Sequence, residues 1–253
     1  MAPAAASGVR EATGSDTIRA PIDGHIRLYR LRYDRMTVHG SDLTGRARIR
    51  DSALELFANR GVNATSIRDV AKAAGVSAGT VQHHFPSKDA LCAGVNQYVA
   101  KVTTDAFADF SGDESDSVAI TEDLGHRITG LVRDSPNVLR YVARSVADGD
   151  ESALVAFDGF VGIASALQQR SQNEGVLHDD LDLVWSALNV VVLNLATVLF
   201  ERAVSRHLPA PFSSPDSLER WRRADTDLFR RAFYRDDTVA TAQPRRAIPK
   251  ENR

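Results

Sequence analysis

Residues 65–91 read TSIRDVAKAAGVSAGTVQHHFPSKDAL, and their pattern decides the fold. From Thr65, apolar side chains fall at Ile67, Val70, Ala71 and Ala74. That i, i+3, i+4, i+7 spacing predicts a helix of about two turns with one narrow buried stripe, and Thr65 is its expected N-cap. Gly75 stands where a helix end needs a positive φ, a conformation that glycine takes cheaply. Ser77 then caps a second short helix, Ala78 to about Phe85, with Val81 and Phe85 on its buried side. Pro86 ends it, because a residue before proline is pushed out of helical φ/ψ. Helix, short glycine turn, helix is the pattern of a helix-turn-helix.

The outward face of the second helix carries Ala78, Gly79, Thr80, Gln82, His83 and His84, with no acidic residue among them. Small side chains at its start let the backbone approach a groove. The Gln82 amide matches an adenine edge bidentately, and the Thr80 methyl suits a thymine methyl. Ser87 and Lys88 open the next helix, where N–H groups, helix dipole and ammonium all favour a phosphate. Upstream, Arg46 to Arg60 predict a helix with Ile49, Ala53, Leu56 and Phe57 buried and Gly61 as its stop. Its basic beginning, Arg46, Arg48 and Arg50, is placed to lie along a phosphate backbone.

From about Thr44 to Cys92 these features together resemble the DNA-binding domain of the tetracycline-repressor (TetR) family. The matching residues are Arg46-Ala47-Arg48-Ile49, then Phe57-Ala58-Asn59-Arg60-Gly61, Thr65-Ser66-Ile67, AAGVSAGT at 73–80 and HHFPSKDAL at 83–91. The resemblance implies a DNA-contacting set of Thr44, Arg46, Thr65, Arg68, Ser77, Ala78, Gly79, Thr80, Gln82, His83, His84 and Lys88. Arg68 aligns with a position from which some relatives reach a guanine. Gln82 departs from the family, which commonly has there a tyrosine that reaches the DNA backbone, so a base contact is expected of it instead.

Composition fits a DNA-facing half joined to a half that faces something else. The chain has 253 residues and a formal charge of −2. Residues 1–91 hold 13 Arg and Lys against 9 Asp and Glu, a net of +4, and residues 92–253 hold 18 against 24, a net of −6. Cys92 is the single cysteine, which excludes an intramolecular disulfide or a cysteine metal cluster and suits a reducing cytoplasm. No nucleophile elbow, P-loop, dinucleotide glycine pattern or metal-ligand spacing is present, so no catalytic residue, metal or cofactor is expected.

Residues 1–43 are expected to be a flexible basic arm, with Arg19, Arg27, Arg30, Arg32 and Arg35 as candidate phosphate or minor-groove contacts. The helix-turn-helix domain is assigned to 44–91, a helical ligand-binding and dimerisation domain to 92–235, and a disordered tail to 236–253. After a helix over about 87–110 comes the acidic loop SGDESDS at 111–117, then helices at about 118–133, 136–147, 151–174, 180–206 and 215–234. The expected fold is therefore all-α, a three-helix N-terminal head followed by a larger helical domain.

Leu183 to Phe200 contains no charged residue. Its length meets the lower bound for a membrane span, but Ser186, Asn189, Asn194 and Thr197 interrupt it and Asp179, Asp180 and Asp182 precede it. A helix apolar nearly all round is expected instead between its own core and a second copy of the chain, beside the amphipathic stretch at Leu218, Trp221, Leu228, Phe229 and Phe233. Val191 and Leu195 are the positions at which an introduced charge tests that interface. His126, Arg140, Tyr141, Trp185, Asn189 and Asn194, polar or amphipathic residues on apolar helices, are the candidates to line a small-ligand pocket. The expected function is a homodimeric transcriptional regulator on a two-fold operator, a repressor released by a small ligand. An activator, a ligand-independent regulator and a helical ligand-binding or scaffold protein with a vestigial head are the alternatives left open.

Overall fold

The computed structural model describes residues 40–108 and 117–235. The N-terminal unit is built from α1 (Gly40–Arg60), α2 (Ile67–Ala74) and α3 (Ala78–His84), and α4 (Lys88–Ala106) leads out of it. The larger unit comprises α5 (Ser117–Asp134), α6 (Pro136–Ala147), α7 (Glu151–Asn173), α8 (Leu183–Leu199), the single turn α9 (Glu201–Val204) and α10 (Pro215–Phe233). Among the described residues there is no strand; an isolated antiparallel bridge joins Leu177 to Tyr234. The fold is all-α. The arginine-rich segment up to residue 39, most of the acidic loop and the tail from 236 lie outside the described residues, whereas helix is already formed at Gly40, ahead of the expected start at Arg46.

The head closes on Ile49, Phe57, Val70, Val81, Phe85, Leu91 and Val95, all buried, each contributing roughly 1.5–3 kcal/mol of apolar transfer. The N-cap of α2 is Ser66 rather than the expected Thr65. Asp69 settles the choice: the Ser66 hydroxyl accepts from Asp69 N–H at 3.2 Å while the Asp69 carboxylate accepts from Ser66 N–H at 2.9 Å. This reciprocal pair satisfies two helix-end donors at once. The Ser66 hydroxyl also donates to Asp69 Oδ2 at 2.6 Å, and this bond first, then the one from Ser66 N–H, holds the Asp69 carboxyl below its ordinary range.

In the larger unit α7 and α6 both pack on α8, and α5 packs on α10. The expected continuous helix over 180–206 is broken. Asp182 caps α8, accepting from Val184 N–H and Trp185 N–H at 3.0 Å each, so α8 starts at Leu183. It stops at Phe200 (φ −94°, ψ 15°), and the segment beyond bends away by 71°. An Arg140–Glu201 ion pair ties the start of α9 back to α6. No single helix among the described residues is long and apolar enough to cross a membrane, and the bent pair reaches that length only together.

The two units meet where α1 lies along α6. The Phe57 and Tyr141 rings sit 6.3 Å apart between centroids, and the Tyr141 hydroxyl donates to Asn96 Oδ1 of α4 at 2.6 Å. Burial pushes the Tyr141 phenol up. At the end of α1, Gly61 takes φ +84°, and a Cβ there would lie 2.7 Å from Asp148 Oδ2 at the end of α6. The positive φ favours glycine at this junction, and any side chain there would also push the Asp148 carboxylate aside.

Candidate nucleic-acid interface

A turn of three residues, Gly75, Val76 and Ser77, separates α2 from α3 and fixes their angle. Gly75 (φ 66°, ψ 35°) donates to the Lys72 carbonyl at 3.3 Å, and Val76 N–H reaches the Ala71 carbonyl at 3.0 Å. These bonds close the end of α2 in the left-handed glycine manner. Ser77 then accepts from Thr80 N–H at 3.0 Å and shares a 2.9 Å hydrogen bond with the Thr80 hydroxyl. Val81 and Phe85 anchor the inner side of α3, which leaves Gly79, Gln82 and His83 exposed and Ala78, Thr80 and His84 half-buried. Thr44 at the start of α1, Arg68 on α2 and Ser77 are also exposed. Ser87 caps α4 by accepting from Ala90 N–H at 3.0 Å, and half-buried Lys88 follows it.

Thr65 sits differently from the rest of the expected set. Its side chain is buried and its hydroxyl donates to the Gly61 carbonyl at 2.9 Å, bracing the α1–α2 turn. Arg46 is also engaged within the protein. Its guanidinium donates to the His84 carbonyl at 2.7 Å and lies 4.2 Å over the Phe85 ring. Arg50 lies 3.8 Å over the Tyr98 ring and pairs with Asp51. Of the three arginines at the start of α1, Arg48 is the exposed one. Sequence spacing shows that these arginines share a helix end. It does not show which aromatic rings the fold brings beneath two of them.

The expected ligand residues scatter. His126 is exposed on α5, Trp185 and Asn189 are exposed on α8, Arg140 is held by Glu201, and Tyr141 lies against Phe57. Asn194 does face inward, between two adjoining, partly open pockets lined by α5, α7, α8 and neighbouring helices. The larger is apolar, with Phe107, Leu131, Leu139, Phe160 and Ile163 in its wall. The smaller adds Gln168 and Asp225, and Leu124, Val190 and Asn194 belong to both. Asn194 Nδ2 donates to Asp225 Oδ2 at 3.1 Å. Burial raises the Asp225 carboxyl to about 6, an effect the Asn194 bond opposes. Sequence reasoning passed over Asp225, although a signal existed: it sits one helical repeat from both Trp221 and Phe229, an acid on the apolar stripe of α10.

The family model for "Bacterial regulatory proteins, tetR family" matches residues 49–95. The HTH-type transcriptional regulatory protein RaaS of Mycobacterium tuberculosis is 29% identical over 147 residues, 57% of this chain and 65% of that protein. The HTH-type transcriptional repressor KstR2 of Rhodococcus jostii is 48% identical over 46 residues, 18% of this chain and 22% of its own. In both cases the match spans less than two thirds of the relative. Among solved structures, the TetR family protein CprB from Streptomyces coelicolor, in complex with its operator sequence, superposes with a TM-score of 0.60 at 21% identity, over 79% of this chain and 93% of that one. The ketosteroid transcriptional regulator KstR2 of Mycobacterium tuberculosis does so with a TM-score of 0.60 at 17% identity, over 79% and 98%. At those identities the structural likeness concerns the fold, in both units.

Proposed function

For a chain that belongs to the tetR family of bacterial regulatory proteins, we propose the action of a cytoplasmic homodimeric repressor that leaves its operator when a small ligand binds. Residues 44–91 serve as the DNA head and 92–235 as the ligand-binding and dimerisation domain. The observation that carries this reading is α3 itself. It is a short helix capped at Ser77 and anchored by Val81 and Phe85, and it turns Gly79, Gln82 and His83 outward with no acidic residue on its length. Thr44, Arg68, Ser77, Thr80 and Lys88 frame it as backbone and base contacts. Thr65 and Arg46 support it from behind.

One such helix reads a few base pairs, so two copies are needed. A two-fold dimer presents its recognition helices about 34–36 Å apart, one turn of duplex. The joining surface proposed is the outer face of α8, where Trp185 is 61%, Val192 48% and Leu193 43% exposed; Leu228 of α10 is exposed as well. Large apolar side chains grouped in this way mark a protein contact rather than a water-facing helix. Val191 and Leu195, the positions expected from sequence to test the interface, are 5% and 8% exposed and belong to the protomer's own core.

Ligand state reaches the head through α6 and α4. Leu139 of α6 and Phe107 at the end of α4 line the apolar cavity. Close by in sequence on α6, Tyr141 holds Phe57 of α1 and Asn96 of α4. A ligand that moves the cavity wall therefore biases the orientation of the head, and its differential affinity for the two orientations sets how far binding shifts them. Duplex binding measured at two salt concentrations tests the DNA reading. A steep negative dependence of log affinity on log salt is expected, and an absence of duplex binding at low salt rejects it in favour of a scaffold with an idle head.

A further inference from the structure

The two cavities between α5, α7, α8 and α10 differ in a way that specifies a ligand class. The larger is lined by hydrocarbon and aromatic side chains apart from Asn194. The smaller contains two hydrogen-bond acceptors whose needs the protein leaves unmet. Gln168 is 3% exposed, and its Oε1 has no hydrogen-bond partner. An amide oxygen in that state forfeits the hydrogen bonds it would make to water. Asp225 accepts a hydrogen bond from Asn194, and among the described residues no other charged side chain lines either cavity. The arginines of α10 near Asp225 are committed elsewhere: Arg222 pairs with Glu219 at 2.8 Å, and Arg230 with Glu122 at 2.9 Å. A part-buried carboxylate without a counter-charge is a costly feature in a structure whose other cavity walls are apolar.

We infer that the paired cavities take a hydrophobic amine, its apolar body in the compartment of Phe107 and Phe160 and its ammonium head between Asp225 and the Gln168 carbonyl oxygen. This rests on the proposed ligand-binding role of residues 92–235. An ammonium is a donor-only group, so it matches two acceptors where a hydroxyl would be a weaker partner. Its positive charge also supplies what Asp225 lacks, and a charge-assisted hydrogen bond is roughly twice as strong as a neutral one. A carboxylate ligand is disfavoured, because it would bring a second negative charge against Asp225 in a poorly solvated space. The two compartments adjoin at Leu124, Val190 and Asn194, which line both, so the amine lies past these side chains, apolar end to polar end.

Isothermal calorimetry on the full chain near neutral pH, with no DNA present, tests this with three probes that differ only in the head group: 4-phenylbutylamine, 4-phenylbutanol and 4-phenylbutyrate. The amine is expected to bind at least about tenfold more tightly than the alcohol, and the acid least of all. Asp225→Asn should bring the amine down to the level of the alcohol while changing the alcohol by no more than about twofold. Gln168→Leu should weaken the amine with less effect on the alcohol. Thermal melting of each variant shows that it is folded. Acid binding equal to that of the amine, or amine binding unchanged by Asp225→Asn, overturns the inference. Silence from all three probes overturns it too, and in every case the DNA-binding reading stands or falls on duplex experiments alone.

Discussion

Arg46 donates to the main-chain carbonyl of His84 at 2.7 Å, so the first helix of the head grips the far end of the recognition helix. A helix of seven residues is too short to persist by itself. Its position is set from outside, by Ser77 at one end and Arg46 at the other, with the Arg46 guanidinium spread 4.2 Å over the Phe85 ring. A cation at the carbonyl end also complements the helix dipole.

Arg46→Ala is expected to lower the stability of the protein by about 1–3 kcal/mol, since the carbonyl loses a charged donor and the ring loses its cover. DNA affinity should fall for all sequences alike, and Arg46→Lys should recover part of both losses. Melting curves and binding to two unrelated duplexes check this. Unchanged melting combined with a salt slope reduced by about one would mean that Arg46 instead neutralises a phosphate.

Gln82 and Lys88 should separate base reading from backbone holding. Gln82 is exposed in the middle of α3, and its loss in Gln82→Ala should relax preference at one base pair per half-site by about 1–3 kcal/mol. Lys88→Ala should weaken every sequence to a similar degree and flatten the salt slope. Binding to an operator library distinguishes them, and a uniform loss in both variants removes the base-reading role from Gln82.

The two faces of α8 should respond oppositely to charge. Leu193→Glu places a carboxylate on the exposed apolar face and should yield a folded monomer with little operator affinity. Val191→Glu places it in the protomer's own core, where an unpaired charge costs several kcal/mol, and should unfold the chain. Sedimentation with circular dichroism checks both. A folded Leu193→Glu dimer would move the interface away from α8.

Asp225 carries a pH signature. Its carboxyl is raised to about 6 in the fold, above its unfolded value near 3.8, so the folded state holds the proton more tightly. Stability from this group is therefore fully present below the unfolded value and is lost as pH rises through about 6. Asp225→Asn should stabilise the ligand-free protein by roughly 1–3 kcal/mol above neutral pH, with the gain shrinking toward zero near pH 4. Melting temperatures of both proteins across that range decide it, and a constant difference contradicts the buried-carboxylate reading.

What was legible in sequence follows the reach of each signal. Gly75, Ser77 and Pro86 act through their own backbone or the next turn, so the helix-turn-helix could be read from a short window. The cap of α2 was misplaced by one residue because Thr65 and Ser66 are both good caps, and the deciding partner, Asp69, lies three residues beyond Ser66. In α8 an uncharged helix has no polar face to orient it, so Val191 and Val192 are equivalent until the tertiary packing distinguishes them. The cavity was least legible. Leu124, Gln168, Asn194 and Asp225 come from four helices, and a void between helices leaves no periodicity in any one of them.

In the proposed assembly two copies of α3, held by an α8-centred dimer, read a two-fold DNA site. Selection of bound duplexes from a random library, run in parallel with the wild-type chain and Leu193→Glu, tests it most directly. The wild type is expected to enrich an inverted repeat whose half-sites lie about one helical turn apart, and Leu193→Glu to enrich nothing. Enrichment of a site without two-fold symmetry, or of the same inverted repeat by the monomeric variant, would contradict it.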